Sequence, residues 1–208
     1  MRLFAAVLPP PEPLAELAVA VDSLMEGRTA DGRALGPGDA GHGAGAGRGG
    51  LRWTGRAGWH LTLAFYGEVA DETLPELSAR LERAAARTAP FELALRGAGQ
   101  FGRGAVLWVG AEGDVPVLRR LAQRARAAAR RAGIPMDEDR AYRPHLTLAH
   151  SRGRADLRPY LAALGDYAGT GWTVRELCLV RSRLPTGGVP GERPRYEKVG
   201  GWPLGGPG

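Results

Sequence analysis

The pentapeptide His-Leu-Thr-Leu-Ala occurs twice in this chain, within WHLTLAF (59–65) and within RPHLTLAH (143–150). The chain has four histidines, and two of them, His60 and His145, occupy the same place in this repeat. An apolar strand pattern and a helical pattern precede each copy, beginning near Phe4 and near Ala105. We interpret the recurrence as an internal duplication, which constrains the chain to fold as two similar halves packed together.

Short apolar runs predict strands, and apolar residues at helical spacing predict helices. Strands are predicted for LFAAVL, HLTLAFY, PFELAL, AVLWVGAE, the second HLTLA segment, GWTVRELCLVRS and PRYEKV. Helices are predicted for 13–25, for 71–87, from Asp114 to Gly133, and for 155–164. The second half therefore repeats the order of elements in the first half.

A glycine-rich insertion, residues 27–50, interrupts the first half and has no counterpart in the second. Ten of its 24 residues are glycine and large apolar side chains are scarce, so we expect a flexible loop. Its segment GAGRGG has the spacing of a dinucleotide-binding fingerprint, but it lacks the strand before and the helix after that such a site needs. We therefore predict no cofactor site in this segment.

Charge and cysteine content restrict the class of protein further. The net charge of +6, carried almost entirely by arginine, is compatible with an anionic partner such as a nucleic acid. The single cysteine, Cys178, has no partner within the chain, which is typical of a cytoplasmic protein. No run of roughly 18 apolar residues, the length that predicts a transmembrane helix, is present.

Strand alternation places His60 and Thr62 on one face and the intervening leucines on the other, and His145 and Thr147 repeat this arrangement. If the halves pack about a pseudo-two-fold axis, both His-Thr faces line one groove. A neutral imidazole can then accept a proton while a protonated one donates, and the threonine hydroxyls can bind phosphate oxygens. By the same alternation, His150 is expected to face away from His145.

Other interpretations of the repeat stay open at this stage. HLTLA can be a good strand sequence retained twice without a function, or the two histidines with a carboxylate can bind zinc. No acidic residue lies beside either motif on the same face, since Glu68 is about a strand's length from His60. Four aromatic residues can either stack on a base or pack within the sheet: Trp53, Phe101, Trp108 and Tyr196.

The two tetrapeptides, His60-Leu61-Thr62-Leu63 and His145-Leu146-Thr147-Leu148, resemble the H-x-T-x signature of the two-histidine (2H) phosphoesterase superfamily. Their context resembles its RNA 2′,3′-cyclic phosphodiesterase branch, also called the 2′-5′ RNA ligase family. MRLFAAVLPP is similar to the opening strand of that branch, WHLTLAFYGEV to its first motif, RPHLTLA to its second, and SRLPTGG with RYEKV to its last hairpin. His150 stands where relatives often have arginine.

The resemblance implies an α+β, bilobal fold in which two antiparallel sheets line a central groove with helices outside. It implies one domain, 1–208, made of pseudo-symmetric lobes at about 1–102 and 103–208. It also implies hydrolysis of a 2′,3′-cyclic phosphate to a 2′-phosphomonoester without a cofactor or metal. The roles carried over by position are proton donor for His60, proton acceptor for His145, and phosphate binding for Thr62, Thr147 and Arg143.

The expected partners are RNA with a 2′,3′-cyclic phosphate end or a nucleoside 2′,3′-cyclic phosphate, bound by a monomer in the cytoplasm without a membrane. Two alternatives remain: a 2H esterase acting on another cyclic phosphate or small nucleotide, and an RNA-binding protein that no longer catalyses.

Overall fold

The computed structural model describes residues 1–28, 35, 50–136, 141–151, 155–184 and 194–206. Most of the glycine-rich insertion, and most of the turn in the SRLPTGG segment, lie outside these residues. The strands are β1 (Arg2–Val7), β2 (Leu51–Trp53), β3 (Leu61–Glu68), β4 (Phe91–Phe101), β5 (Val106–Gly113), β6 (His145–Ser151), β7 (Trp172–Val174), β8 (Glu176–Arg183) and β9 (Arg195–Pro203). The α-helices are α1 (Pro11–Met25), α2 (Leu74–Ala86), α3 (Val115–Arg131) and α4 (Arg158–Leu164).

The strands form one antiparallel sheet in the order β7-β4-β5-β6-β3-β1-β8-β9, and β2 pairs with β6 beside this path. Its centre is the contact between β6 and β3, the two strands that carry the HLTLA repeats. That contact consists of a single assigned residue pair, Leu61 with Leu146. The two predicted antiparallel sheets are therefore present as two groups of four strands, joined through one pair into a continuous sheet.

The sequence halves exchange strands within this sheet. β4 comes from the first half but pairs with β5, the opening strand of the second half. β8 comes from the second half but pairs with β1, the opening strand of the first half. The two groups of strands consequently do not coincide with residues 1–102 and 103–208, because β4 and β8 each lie beside the first strand of the other half.

Helices cover the face of the sheet opposite to the His-Thr positions. Tyr66 of β3 is buried and its hydroxyl donates a 3.3 Å hydrogen bond to the Ala125 carbonyl of α3. Buried leucines of α2 and α3 complete this layer: Leu77, Leu81, Leu118 and Leu121. Within the described ranges, no helix is long and apolar enough to cross a membrane.

Candidate active site

Each HLTLA strand contains a bulge at the same position of the repeat. On β1, Ala5 pairs with Ala64 of β3 and the next residue, Ala6, pairs with Thr62. Leu63 is therefore left without a partner residue on β1. On β5, Leu107 pairs with Ala149 of β6 and the next residue, Trp108, pairs with Thr147. Leu148 is therefore left without a partner residue on β5. The bulge is thus part of the repeated unit, and it holds the leucine and the following alanine buried together.

The bulge reverses the alternation for residues that follow it. Leu148 and Ala149 are consecutive buried residues, so His150 falls on the open face that His145 and Thr147 share. The prediction that His150 faces away from His145 is therefore wrong, because strict alternation does not hold across a bulge. His150 lies opposite Arg52 of β2, and partial burial together with the Arg52 charge lowers its pKa.

The pairing of Leu61 with Leu146 brings the two motifs together. In this antiparallel register His60 lies across from Thr147, and Thr62 lies across from His145. The two imidazoles are close enough that the charge of His145 contributes to lowering the pKa of His60. The structure therefore brings together the four repeat residues that the sequence singled out.

Each catalytic candidate is oriented by the backbone two residues before it. His145 Nδ1 lies 2.8 Å from the Arg143 carbonyl oxygen, and His60 forms a backbone hydrogen bond with Gly58. Because a carbonyl oxygen can only accept, Nδ1 of His145 carries the proton in this contact and Nε2 is left as the second nitrogen of the ring. The hydrogen bond thus fixes both the ring orientation and the tautomer of neutral His145.

Two aromatic side chains pack against each imidazole. His60 is stacked on Phe4 at 4.5 Å between centroids and meets the edge of Tyr196 at 5.3 Å. His145 meets Phe101 at 4.8 Å and Trp108 at 6.1 Å. Three of the four aromatic residues left open by the sequence therefore surround the histidines, while Trp53 is buried and packs against Tyr160 at 5.9 Å.

This packing makes the environment of His60 unfavourable for its charged form. The pKa of His60 is lowered to about 4, chiefly by burial and to a smaller extent by the charge of His145, while the hydrogen bond with Gly58 opposes the shift. His60 is consequently neutral at neutral pH in the free protein. A bound phosphate anion would favour its protonated form.

The lowered pKa of His60 predicts a pH dependence of stability. Since the folded-state pKa lies below the ordinary value, the unfolded chain binds more protons between pH 6.5 and about 4, and the free energy of unfolding falls as pH falls through this window. We expect the free energy of unfolding to fall by about 3 kcal/mol across this window, and this fall to be absent in His60→Gln. Urea unfolding across the window measures it, and parallel pH profiles for the two proteins would contradict it.

A groove of about 820 Å³ lies beside the HLTLA strands. Thr62, His145 and Arg143 line it, together with Phe65, Tyr142 and Arg126. His60 and Thr147 do not line this groove. Both are partly exposed, and each lies next to a residue of the Leu61–Leu146 pair. Across the described ranges, no three histidine, cysteine or acidic side chains come together as a set that could hold a metal ion.

Gly99 is a residue of this site that the sequence did not single out. It pairs with Trp108 across β4 and β5, and a Cβ atom at Gly99 would lie 2.1 Å from Trp108 Cζ2. The indole therefore lies over the glycine and reaches His145. β4 contains two glycines, and nothing in the sequence marks Gly99 as the one that contacts Trp108.

We expect Gly99→Ala to displace the Trp108 ring, since no side chain fits at that distance. The predicted consequences are a loss of about 1 to 3 kcal/mol in the free energy of unfolding and a reduced activity through His145. Gly171→Ala is the matched control, because its Cβ would have its nearest contact at an ordinary 3.6 Å. Denaturant unfolding and turnover of both variants test this, and equal behaviour would contradict it.

The relationship to known proteins follows from the motifs and the fold together. The family model of the 2′-5′ RNA ligase superfamily matches residues 49–185, which include both repeats and the strands around them. The chain belongs to the 2′-5′ RNA ligase superfamily. This confirms the resemblance stated from the sequence.

Among its relatives in the 2′-5′ RNA ligase superfamily are proteins named RNA 2′,3′-cyclic phosphodiesterase. That of Geobacillus stearothermophilus is 30% identical over 156 residues, 73% of this chain and 47% of the relative. That of Escherichia coli is 36% identical over 145 residues, 70% of this chain and 75% of the relative. The match thus spans about half the length of the Geobacillus protein.

Solved structures confirm the fold of this superfamily member. A crystal structure of a Thermus thermophilus protein aligns with a TM-score of 0.71 at 30% identity and covers 99% of both chains. Escherichia coli LigT complexed with 3′-AMP aligns with a TM-score of 0.69 at 28% identity, over 98% of this chain and 97% of that one. The predicted α+β 2H phosphoesterase architecture is therefore correct.

Proposed function

We propose that this chain hydrolyses RNA 2′,3′-cyclic phosphate ends to 2′-phosphomonoesters. The observation that carries the proposal is the meeting of the two H-x-T-x motifs at the Leu61–Leu146 pair, with Thr62 and His145 lining the adjacent groove. The relatives named RNA 2′,3′-cyclic phosphodiesterase support the substrate class.

In the proposed reaction His145, neutral and held by the Arg143 carbonyl, accepts a proton from water at Nε2. The oxygen of that water forms a bond to phosphorus, and the bond from phosphorus to O3′ breaks. His60 donates a proton to the departing O3′, leaving the phosphate on O2′. His60 takes up the proton that it donates from solvent when the phosphate anion binds, and water and the two histidines account for every other proton and electron pair, so neither a metal nor a cofactor is needed.

The remaining site residues stabilise the phosphoryl group in this proposal. Thr62 and Thr147 donate hydroxyl hydrogen bonds to the non-bridging oxygens, where charge develops in the transition state. Arg143 is exposed in the groove wall and provides a cation for the same group. Because His60 is neutral before substrate binds, the phosphate anion also has the role of raising its pKa so that it can donate.

We infer that the protein acts as a monomer in the cytoplasm, on RNA or on nucleoside 2′,3′-cyclic phosphates and away from membranes. All four repeat residues come from one chain, which supports the monomer. The one cysteine is buried and has no partner to form a disulfide, which supports a reducing compartment.

The test is phosphorus NMR of the purified protein with an oligonucleotide ending in a 2′,3′-cyclic phosphate and with the four nucleoside 2′,3′-cyclic phosphates. We expect the cyclic resonance to be replaced by that of a 2′-phosphomonoester, at a rate that a metal chelator leaves unchanged. The double variant His60→Ala/His145→Ala is the control. Binding without hydrolysis would overturn the proposal in favour of an RNA-binding protein, and turnover of a different cyclic phosphate alone would overturn the substrate.

A further inference from the structure

A second, strongly cationic cleft of about 180 Å³ lies between α2 and α3. Five arginines line it, and small alanines form its floor. The arginines are Arg80, Arg83 and Arg87 on the α2 side and Arg124 and Arg131 on α3. Guanidinium groups bind phosphate oxygens through paired N–H donors, so this lining has the chemistry of a phosphate site.

The positive charge in this cleft is only partly compensated. Arg80 forms an ion pair with Glu76 at 2.5 Å, and Arg124 donates 2.6 Å hydrogen bonds to the Arg87 carbonyl and to the Thr88 hydroxyl. In the part of the chain that the structure describes, the guanidinium groups of Arg83, Arg87 and Arg131 have no carboxylate partner. Like charges held this close repel one another, and an anion between them removes that cost.

The cleft is separate from the proposed active site. β3 turns Thr62 to the groove and Tyr66 to the opposite face, where the Tyr66 hydroxyl contacts Ala125 of α3. The cleft therefore lies in the helix layer behind the sheet. A phosphate bound there is not the reacting phosphate.

Arginines on α3 connect the groove with the cleft. Arg126 lines the groove, Arg130 follows one helical turn later and is exposed, and Arg131 lines the cleft. A helix with its side chains is only about 10 Å across, so a strand leaving the groove past Arg126 reaches the cleft within a few nucleotides. Several phosphates of one nucleic acid can thus contact both surfaces at once.

We propose that the α2–α3 arginine cleft binds a backbone phosphate of the RNA whose cyclic end occupies the groove. The inference rests on the proposed function for the identity of the RNA, and on the cleft itself for the phosphate chemistry. A free phosphate ion shares that chemistry, and the experiment separates the two sources.

The experiment compares wild type with Arg83→Gln/Arg131→Gln, which removes two uncompensated cleft charges. The control is Arg28→Gln/Arg158→Gln, an equal change in net charge at exposed arginines outside the cleft, paired with Glu26 and Asp156. Affinity for an oligonucleotide ending in a 2′-phosphate, which cannot be hydrolysed further, is measured by fluorescence anisotropy over a range of salt concentrations. Hydrolysis of a nucleoside 2′,3′-cyclic phosphate is measured in parallel.

We expect the cleft variant to lose on the order of tenfold in RNA affinity and to show a salt dependence shallower by about 0.7 per lost phosphate contact. Its mononucleotide turnover should equal that of wild type, and its unfolding midpoint should not fall below that of wild type, because the substitutions relieve repulsion between the cleft arginines. Unchanged RNA affinity, or an equal loss in the control variant, would overturn the proposal.

Two further readouts separate this proposal from the other possibilities. Inorganic phosphate is expected to stabilise wild type against heat, but not the cleft variant, if the cleft binds a free anion. That result, with RNA affinity unchanged in the cleft variant, would overturn the proposal that the cleft binds RNA. If wild type hydrolyses neither the oligonucleotide nor the nucleoside 2′,3′-cyclic phosphates, the proposed function alone is refuted, because the RNA-binding comparison does not depend on catalysis.

Discussion

With a nucleoside 2′,3′-cyclic phosphate as substrate, His60→Ala and His145→Ala are each expected to lower the rate by on the order of 10²-fold or more. The physical reason is that the base and the acid act on different atoms of the same reaction, and neither can replace the other. Steady-state kinetics measures the effect. Unchanged far-ultraviolet circular dichroism of both variants excludes unfolding as its cause.

A change of leaving group then distinguishes the two roles, which a pH profile alone cannot assign to either residue. Nitrophenolate departs without being protonated, so a nitrophenyl phosphodiester requires the base but not the acid. With this ester we expect His60→Ala to recover most of its rate while His145→Ala stays slow. Each variant thereby serves as the matched control of the other.

Two other outcomes have a defined meaning. Recovery in His145→Ala instead would reverse the assignment, and the lowered pKa of His60 would then describe a base that is neutral before substrate binds. Recovery in neither variant would refute acid–base catalysis and leave both imidazoles as groups that stabilise charge on the phosphoryl group.

The second large effect is expected at the threonines. Thr62→Val and Thr147→Val keep the branched shape but remove the hydroxyl donor, and each should lower kcat by on the order of 10²-fold. KM should change much less, because the hydrogen bonds strengthen as charge develops on the non-bridging oxygens in the transition state. Steady-state kinetics with a nucleoside 2′,3′-cyclic phosphate separates the two parameters.

Serine and a distant threonine provide the controls. Thr62→Ser and Thr147→Ser retain the donor and should recover most of the lost rate. Thr173→Val changes a threonine of β7 whose hydroxyl bonds to Glu92 outside the groove, and it should leave turnover unchanged. A loss confined to KM, or no rescue by serine, would show that the hydroxyls do not stabilise the transition state.

The sequence was sufficient for features that depend on neighbouring residues. Apolar periodicity located the strands and helices around both repeats, because alternate residues of a strand and successive turns of a helix share a face. The repeat itself identified His60, Thr62, His145 and Thr147, and the structure brings these four together. The H-x-T-x signature was enough to assign the family that the comparisons confirm.

Alternation failed where a residue's position depends on pairing with a distant strand. The extra Leu148 is visible only in the register of β6 against β5, and it reverses the direction of His150. The exchange of β4 and β8 between the halves has the same origin, since either strand can satisfy its backbone hydrogen bonds beside any partner of suitable length.

The sequence by itself determined which residues can perform the proposed chemistry, and it located each of them in or directly beside a strand. The tertiary structure alone decided their environment: the stacking of Phe4 on His60, the contact of Trp108 with Gly99, and the gathering of arginines between α2 and α3. Proton affinity and charge density depend on burial and on groups that are close in space. Those neighbours come from strands and helices far apart along the chain, so no local pattern encodes them.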